Sequence, residues 1–114
     1  MESLLRQIFN VEGVTGALLA SKDGLIITTL ASDSDGESHA AHAAAAFDAL
    51  AQYTRQVALG KPQQAIILTG SAALALTEVG DMILVVVAHA TTNLGRLRLE
   101  SSRIAGAILA QLRG

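Results

Sequence analysis

Two histidines close together in the chain are the residues best suited to bind a metal. His39 and His42 are three residues apart, so a helix would carry both on one side, and Asp35 or Glu37 could add a carboxylate. A zinc site needs a third fixed protein ligand, and the sequence does not supply one. Histidines near a helix start are more often solvated. We therefore predict no metal and no cofactor, and leave open whether His39 and His42 bind anything.

Hydroxyl, imidazole and carboxylate groups occur in the combination that a hydrolase uses. Ser38 or Ser71 could act as nucleophile, with His89 as the base and Asp81 to orient it. Any chain of this size permits such a set, and no Gly-x-Ser-x-Gly elbow is found. His89, at a predicted strand end, could equally be a structural residue. We therefore predict that the chain is not an enzyme.

A glycine next to a lysine raises the question of a nucleotide site. Gly60-Lys61 resembles the end of a phosphate-binding loop, but Arg55 stands at the first glycine position and Pro62 at the Ser/Thr position. Glycine followed by proline is instead typical of a helix stop. The Gly13-x-x-Gly16 pair fits turn geometry better than a phosphate cradle. The sequence predicts no nucleotide site.

The composition excludes several classes of partner. The 114 residues are 51% hydrophobic but only 3% aromatic, and the formal net charge is −2, so the basic field and the aromatic platforms of nucleic-acid binders are both missing. The longest strongly apolar run, 82–88, is too short to span a bilayer. The absence of cysteine is compatible with a reducing compartment. We predict one cytoplasmic domain, residues 1–114, with no nucleic-acid partner and no membrane insertion.

Turn residues divide the chain into eight elements. Helices are predicted at 3–10, at 37–59 and from 93 to the end, and strands at 16–20, 25–30, 65–69, 73–79 and 82–89. Asp23-Gly24 indicates a tight hairpin, and Ser34 with Glu37 has capping-box spacing. The strand 82–89 is apolar at consecutive positions, which is typical of a strand covered on both faces. The order predicts an α/β fold, an α-β-β-α-β-β-β-α sandwich with helices on both faces of one sheet.

The long second helix is nearly apolar all the way round, so we expect it to be covered on both sides. The stripe predicted to pack on the sheet is Ala43, Phe47, Leu50, Thr54 and Val57. The opposite side carries Ala41, Ala45, Ala49, Gln52 and Gln56, with Asp48, His42 and Arg55 nearby.

The element order and four short segments resemble the Roadblock family of dynein light chains and bacterial GTPase regulators. The segments are 13–17 (GVTGA), 22–25 (KDGL), 79–81 (VGD) and 93–98 (NLGRLR). The resemblance covers essentially all 114 residues. It implies a profilin-like, five-stranded and mainly antiparallel sheet. It also implies a homodimer that pairs the third strand and the second helix with their counterparts, so that the sheet continues from one chain into the other.

The residues support that dimer independently, because an uncovered apolar edge at 65–68 would be an aggregation hazard. Small alanines on the second helix would also let two helices lie close together. The predicted dimer interface consists of Ala44, Ala51, Ala65, Ile66, Ile67 and Leu68.

The resemblance further implies a protein partner. Family dimers act as platforms for small Ras-like GTPases or as adaptors in larger assemblies, so the first hypothesis is a homodimer that regulates or scaffolds such a GTPase. The alternatives are an adaptor without GTPase contact and, disfavoured by the scarcity of aromatic residues, a small-ligand sensor. The candidate partner surface is Ala41, Ala45, Asp48, Gln52, Arg55 and Gln56. These residues could instead be an ordinary solvated helix face.

An arginine supplied to the GTPase is conceivable, because one cation can stabilise the charge that develops in phosphoryl transfer. Arg55, Arg96 and Arg98 are candidates, and the sequence does not select among them.

Overall fold

The helices and strands follow the predicted order. The computed structural model describes residues 1–30 and 36–114. The helices are α1 (Glu2–Arg6, continued by a 3-10 turn, Gln7–Asn10), α2 (Gly36–Gln56) and α3 (Leu94–Arg113), and the strands are β1 (Val14–Ser21), β2 (Ile26–Leu30), β3 (Gln64–Leu68), β4 (Ala72–Val79) and β5 (Met82–His89). The predicted α/β sandwich is confirmed, while the proposed capping residue Ser34 lies outside the described residues.

The five strands form one antiparallel sheet in the order β2-β1-β5-β4-β3. The predicted hairpin joins β1 to β2, and the Gly24 N–H donates to the Ser21 carbonyl at 3.0 Å. Gly24 has φ +89°, and a Cβ there would lie 3.1 Å from Ala41 Cα of α2. The position therefore requires glycine for its conformation and for its closeness to the helix.

Alternating residues of the strands build two cores, one on each face of the sheet. One face packs α1, the 3-10 turn and α3 on the sheet, and its largest buried residues are Leu5, Ile8, Leu19, Leu84, Leu97, Ile104 and Ile108. The other packs α2 on Leu18, Leu76, Ile83 and Val85. In β5 the odd-numbered residues face α2 and the even-numbered residues face α3. Both sides of the strand are therefore covered, which explains why its consecutive residues are apolar.

The second helix ends earlier than the sequence indicates. Its left-handed C-terminal residue is Ala58, at φ +59°, rather than Gly60. The Ala58 N–H donates to the Arg55 carbonyl at 3.1 Å, and the Leu59 N–H donates to the Thr54 carbonyl at 2.8 Å. This is the Schellman arrangement. The helix predicted to reach residue 59 therefore stops at Gln56, and Gly60 (φ +85°) belongs to the loop that follows.

The sequence allows either Thr92 or Asn93 as the N-cap of α3, and in the structure the cap is Asn93. The Asn93 side chain accepts a hydrogen bond from the Arg96 N–H at 3.0 Å, which satisfies one free N–H at the helix start. At the next turn, the Gln64 side-chain amide donates to the Arg98 carbonyl at 3.1 Å and to Thr77 Oγ1 at 3.0 Å. The bond to Arg98 joins edge strand β3 to α3, and the bond to Thr77 joins it to β4.

Candidate functional site

A groove runs between α2 and the edge strand β3 because α2 covers only part of the sheet. The helix packs mainly on β1, β2 and β5. The open space beside it, here called the groove, is about 390 Å³. Its apolar floor is Ile67, Leu74, Leu76 and Val85, and its helix wall is Ser38, His39, His42, Ala43 and Ala46. Apolar surface left open beside an unpaired strand is typical of an interface.

The helix wall continues as a heptad-spaced row of mostly apolar residues. Steps of four and three connect His39, Ala43, Ala46, Leu50, Tyr53 and Val57, and this set is called the seam. Tyr53 is 61% and Val57 46% exposed, so these large side chains are not used by the chain's own core. Such spacing is what a second helix packed alongside would require. Of the stripe predicted to face the sheet, Ala43 and Phe47 are buried, and Leu50 and Thr54 are half-buried. Val57 lies one residue past the end of α2 and is exposed.

The edge strand presents its backbone to solvent. The Glu78 N–H donates to the Gln63 carbonyl, and the Thr69 N–H donates to the Ala72 carbonyl, both at 2.9 Å. Antiparallel pairs bond through alternate residues, so odd-numbered residues of β3 bond to β4. The N–H and C=O groups of Gln64, Ile66 and Leu68 therefore point to the open edge.

The predicted dimer residues fall into two groups. Ala65, Ile66 and Ile67 are half-buried in β3 and Leu68 is 56% exposed, all at the open edge. Ala44, in contrast, is only 5% exposed and belongs to the chain's own core under α2. Ala51, one heptad further, is half-buried on the same helix face. Of the two alanines in the groove wall, Ala43 is buried and Ala46 is exposed.

The six residues predicted to contact a partner all lie exposed on α2, on the flank away from the groove. Five of them are spaced alternately by four and three residues along the helix, namely Ala41, Ala45, Asp48, Gln52 and Arg55. The sixth, Gln56, lies beside Arg55. This set is called the outer strip. Gln52 Nε2 donates to Asp48 Oδ2 at 2.8 Å. The structure thus brings the six residues together on one surface.

A small charged pocket lies at one end of the outer strip and was not foreseen from the sequence. It has a volume of about 210 Å³. Its apolar floor includes Phe47 and Ile83, and its charged residues are Lys22, Asp48, Arg55, Lys61 and Glu78; this is called the basic pocket. Lys22 Nζ and Lys61 Nζ lie 3.2 Å and 3.9 Å from the same oxygen, Glu78 Oε2. These charges come from different elements, so no local spacing could have revealed them.

The histidines do not assemble a metal centre in the described parts of the chain. No group of three or more His, Asp or Glu side chains in residues 1–30 and 36–114 is placed to hold a metal ion. His42 Nδ1 lies 2.9 Å from the Ser38 carbonyl oxygen and 3.4 Å from Ser38 Oγ. Asp35 lies outside the described residues.

The hydrolase residues are also separated. Asp81 precedes β5 and His89 ends it, so the strand separates them by roughly 25 Å. Ser71 lies at the His89 end, next to Ala72, which pairs with His89. Ser71 therefore lies near His89, but Asp81 is too far away to orient the histidine.

The three candidate arginines are divided between the two faces of the sheet. Arg55 lies in the outer strip on α2, whereas Arg96 and Arg98 lie on α3. Glu100 pairs with Arg103 at 2.9 Å. Only Arg55 shares a surface with the predicted partner residues.

Across the described residues, no helix combines the length and the apolar character needed to cross a membrane.

Known proteins resemble the chain in sequence and in fold. The Roadblock/LC7 domain profile matches residues 1–88. Three uncharacterised proteins of Methanocaldococcus jannaschii are each 32% identical over 111 residues, covering 96% of this chain and 94% to 97% of each relative. The Roadblock/LC7 domain of Streptomyces avermitilis superposes with a TM-score of 0.91 at 21% identity, covering 100% of this chain and 98% of that one. Myxococcus xanthus MglB gives 0.89 at 18% identity, covering 97% and 93%.

Profilin II of Acanthamoeba castellanii is a more distant match, with a TM-score of 0.65 at 19% identity over 87% of each chain. The fold is therefore profilin-like, as expected. Because the profile spans most of the chain and the relatives align over nearly their whole length, this chain belongs to the Roadblock/LC7 domain family.

Proposed function

We propose that residues 1–114 form a non-catalytic, cytoplasmic, homodimeric module that binds a small Ras-like GTPase and regulates or scaffolds it. The observation that carries the proposal is the unpaired β3 edge with an apolar groove and a heptad-spaced helix seam beside it. Membership in the Roadblock/LC7 family supports the choice of partner.

A second copy of the chain is the occupant that suits this edge. A two-fold axis beside β3 would pair the outward N–H and C=O groups of Ile66 and Leu68 with those of the other strand. The same axis would place the two α2 seams next to each other over the two grooves. Strand pairing would satisfy backbone groups, and seam packing would bury Tyr53 and Val57. The dimer interface is thus proposed to be Ala65, Ile66, Ile67 and Leu68 together with the seam. Ala51 lines the basic pocket on the other flank of α2 and is not part of this proposed interface.

The outer strip is the proposed GTPase contact. It lies on the α2 flank away from the groove, so it would stay accessible after two chains pair. Small residues at Ala41 and Ala45 would allow close approach of a partner, and Asp48, Gln52, Arg55 and Gln56 offer hydrogen bonds and charge. In a dimer the two strips would form a surface with two-fold symmetry. The action proposed is binding that reshapes or anchors the GTPase.

Two neighbouring alanines allow the dimer and the partner contact to be tested separately. Ala46→Glu places a charge on the groove wall, whereas Ala45→Glu places the same charge on the outer strip. The mass of each variant is measured by light scattering, alone and with candidate small GTPases in both nucleotide states. Ala110→Glu, at an exposed position of α3, is the matched control.

We expect Ala46→Glu to be monomeric, and Ala45→Glu to remain dimeric but to lose GTPase binding. The control should behave as the wild type. A wild-type dimer that binds none of the GTPases in either state would contradict the GTPase assignment and favour an adaptor. A wild-type monomer at high protein concentration would contradict the dimer.

A further inference from the structure

We propose that the basic pocket receives one apolar side chain of a protein partner together with a carboxylate beside it, and so selects among partners of the outer strip. The inference rests on the proposed function only in that the partner contacts this surface. The pocket itself involves the β1–β2 turn, α2, the loop before β3, β4 and β5, so it is a feature of the whole fold.

The charges of the pocket favour an anion. Lys22, Arg55 and Lys61 supply three positive charges against two carboxylates, Asp48 and Glu78. The two lysines form ion pairs with the same oxygen of Glu78, so one carboxylate is the partner of two ammonium groups. In the described part of the chain, Arg55 forms no ion pair with either carboxylate. An incoming carboxylate would therefore supply the negative charge that this rim lacks.

The lining of the pocket favours an apolar group as well. Phe47 and Ile83 close its bottom and are almost fully buried, at 3% and 1% exposed. The apolar surface that a ligand can reach includes the half-buried Ala51 and Pro62, whereas the Lys61 side chain at the rim is 72% exposed. A hydrated inorganic anion would leave this apolar surface uncovered. An apolar side chain can cover it while an adjacent carboxylate stays at the rim. Floor and rim thus specify one occupant with two chemical parts.

The volume favours a side chain over a free metabolite. The pocket volume is about 210 Å³. Pockets for small molecules are usually larger, at roughly 300 to 1,000 Å³. The pocket also adjoins the outer strip, with which it shares Asp48 and Arg55. We therefore assign it to a protein partner that already lies on α2.

The test uses the full chain and a probe that carries both chemical parts. N-acetyl-leucine is titrated into isotope-labelled protein while the backbone amide signals are followed by NMR, and N-acetyl-leucinamide serves as the uncharged matched probe. We expect the acid to shift the amide signals of Arg55, Lys61 and Glu78 in a saturable manner. The leucinamide should bind about fivefold more weakly, the effect of losing one exposed charge interaction.

Two variants decide whether the rim acts as proposed. Lys61→Gln and Arg55→Gln should each weaken binding of N-acetyl-leucine, and Arg113→Gln, an exposed position at the end of α3, should not. Equal binding of the two probes, or binding of the acid unchanged in both pocket variants, would overturn the proposal. So would the absence of saturable shifts at the pocket.

A further arm separates two sources of the carboxylate. The amidated peptide N-acetyl-Leu-Glu presents an acidic side chain, whereas N-acetyl-leucine presents a chain end, and stronger binding of either supports that source. The titration needs no GTPase, so its result is independent of the GTPase screen. If no GTPase binds in the screen, the proposed function is contradicted. A positive titration of the pocket with N-acetyl-leucine would still support the present proposal.

Discussion

Removing one backbone N–H from the open edge of β3 tests the proposed strand pairing directly. Leu68 suits this change because its N–H points away from β4 and its side chain is 56% exposed. Leu68→Pro deletes that donor without breaking a bond to β4, and proline is compatible with an edge strand. Leu68→Ala is the control, because it removes most of the same side chain but keeps the N–H.

The expected size of the effect follows from symmetry. Each chain of the dimer loses one hydrogen bond, so two are lost per dimer. At about 1 kcal/mol net for each bond, the loss is about 2 kcal/mol, or roughly a 30-fold weaker dimer. Steric interference by the proline ring with the opposite strand would add to this value.

The dimer dissociation constant is measured for both variants by analytical ultracentrifugation over a range of protein concentrations. Ile67→Pro provides the opposite case, because its N–H points to β4. That variant should lower the unfolding temperature of the chain itself, which Leu68→Pro should not do to a comparable extent. If Leu68→Pro and Leu68→Ala dimerise equally well, the two chains do not pair through β3.

Three further changes test the local structure by urea unfolding at a fixed protein concentration. Ala58→Gly should raise the free energy of unfolding by about 1 kcal/mol, because glycine adopts the φ of +59° without the steric cost of a Cβ; an unchanged or lower value would contradict the left-handed cap. Asn93→Ala should lower it by about 1 kcal/mol through loss of the bond to the Arg96 N–H, whereas Asn93→Ser should retain most of it. Phe47→Ala should lower it by about 3 to 5 kcal/mol, because the ring is 3% exposed in the core under α2; a loss below 1 kcal/mol would contradict that packing.

The fold was largely predictable because its signals are local. Asp23-Gly24 sets the hairpin, Asn93 caps α3, and the consecutive apolar residues of β5 require cover on both faces. Each signal depends on residues near one another in the chain. The end of α2 was misplaced for a related reason, since Gly60 is the usual terminator and Ala58 adopts the left-handed conformation instead.

The candidate surfaces were predicted only in part. The outer strip shares one side of α2 and the β3 residues share the edge strand, because helical spacing and strand alternation determine which residues share a side. Ala44 was assigned to the dimer on its small size, yet the packing of α2 turns it into the core. The heptad steps from Ala46 through Leu50 to Tyr53 were present in the sequence and could have indicated the seam.

The sequence by itself determined the order of the elements, the covered central strand and the alanine-rich composition of the second helix. Only the tertiary structure decided which flank of α2 faces β3. The helix is apolar almost all the way round, so its hydrophobic pattern does not select one orientation over a slightly rotated one. The structure alone also brought Lys22, Lys61 and Glu78 to one pocket across 56 residues of chain. Such contacts depend on how separate segments pack together at one end of the sheet, and no periodicity in the sequence predicts that packing.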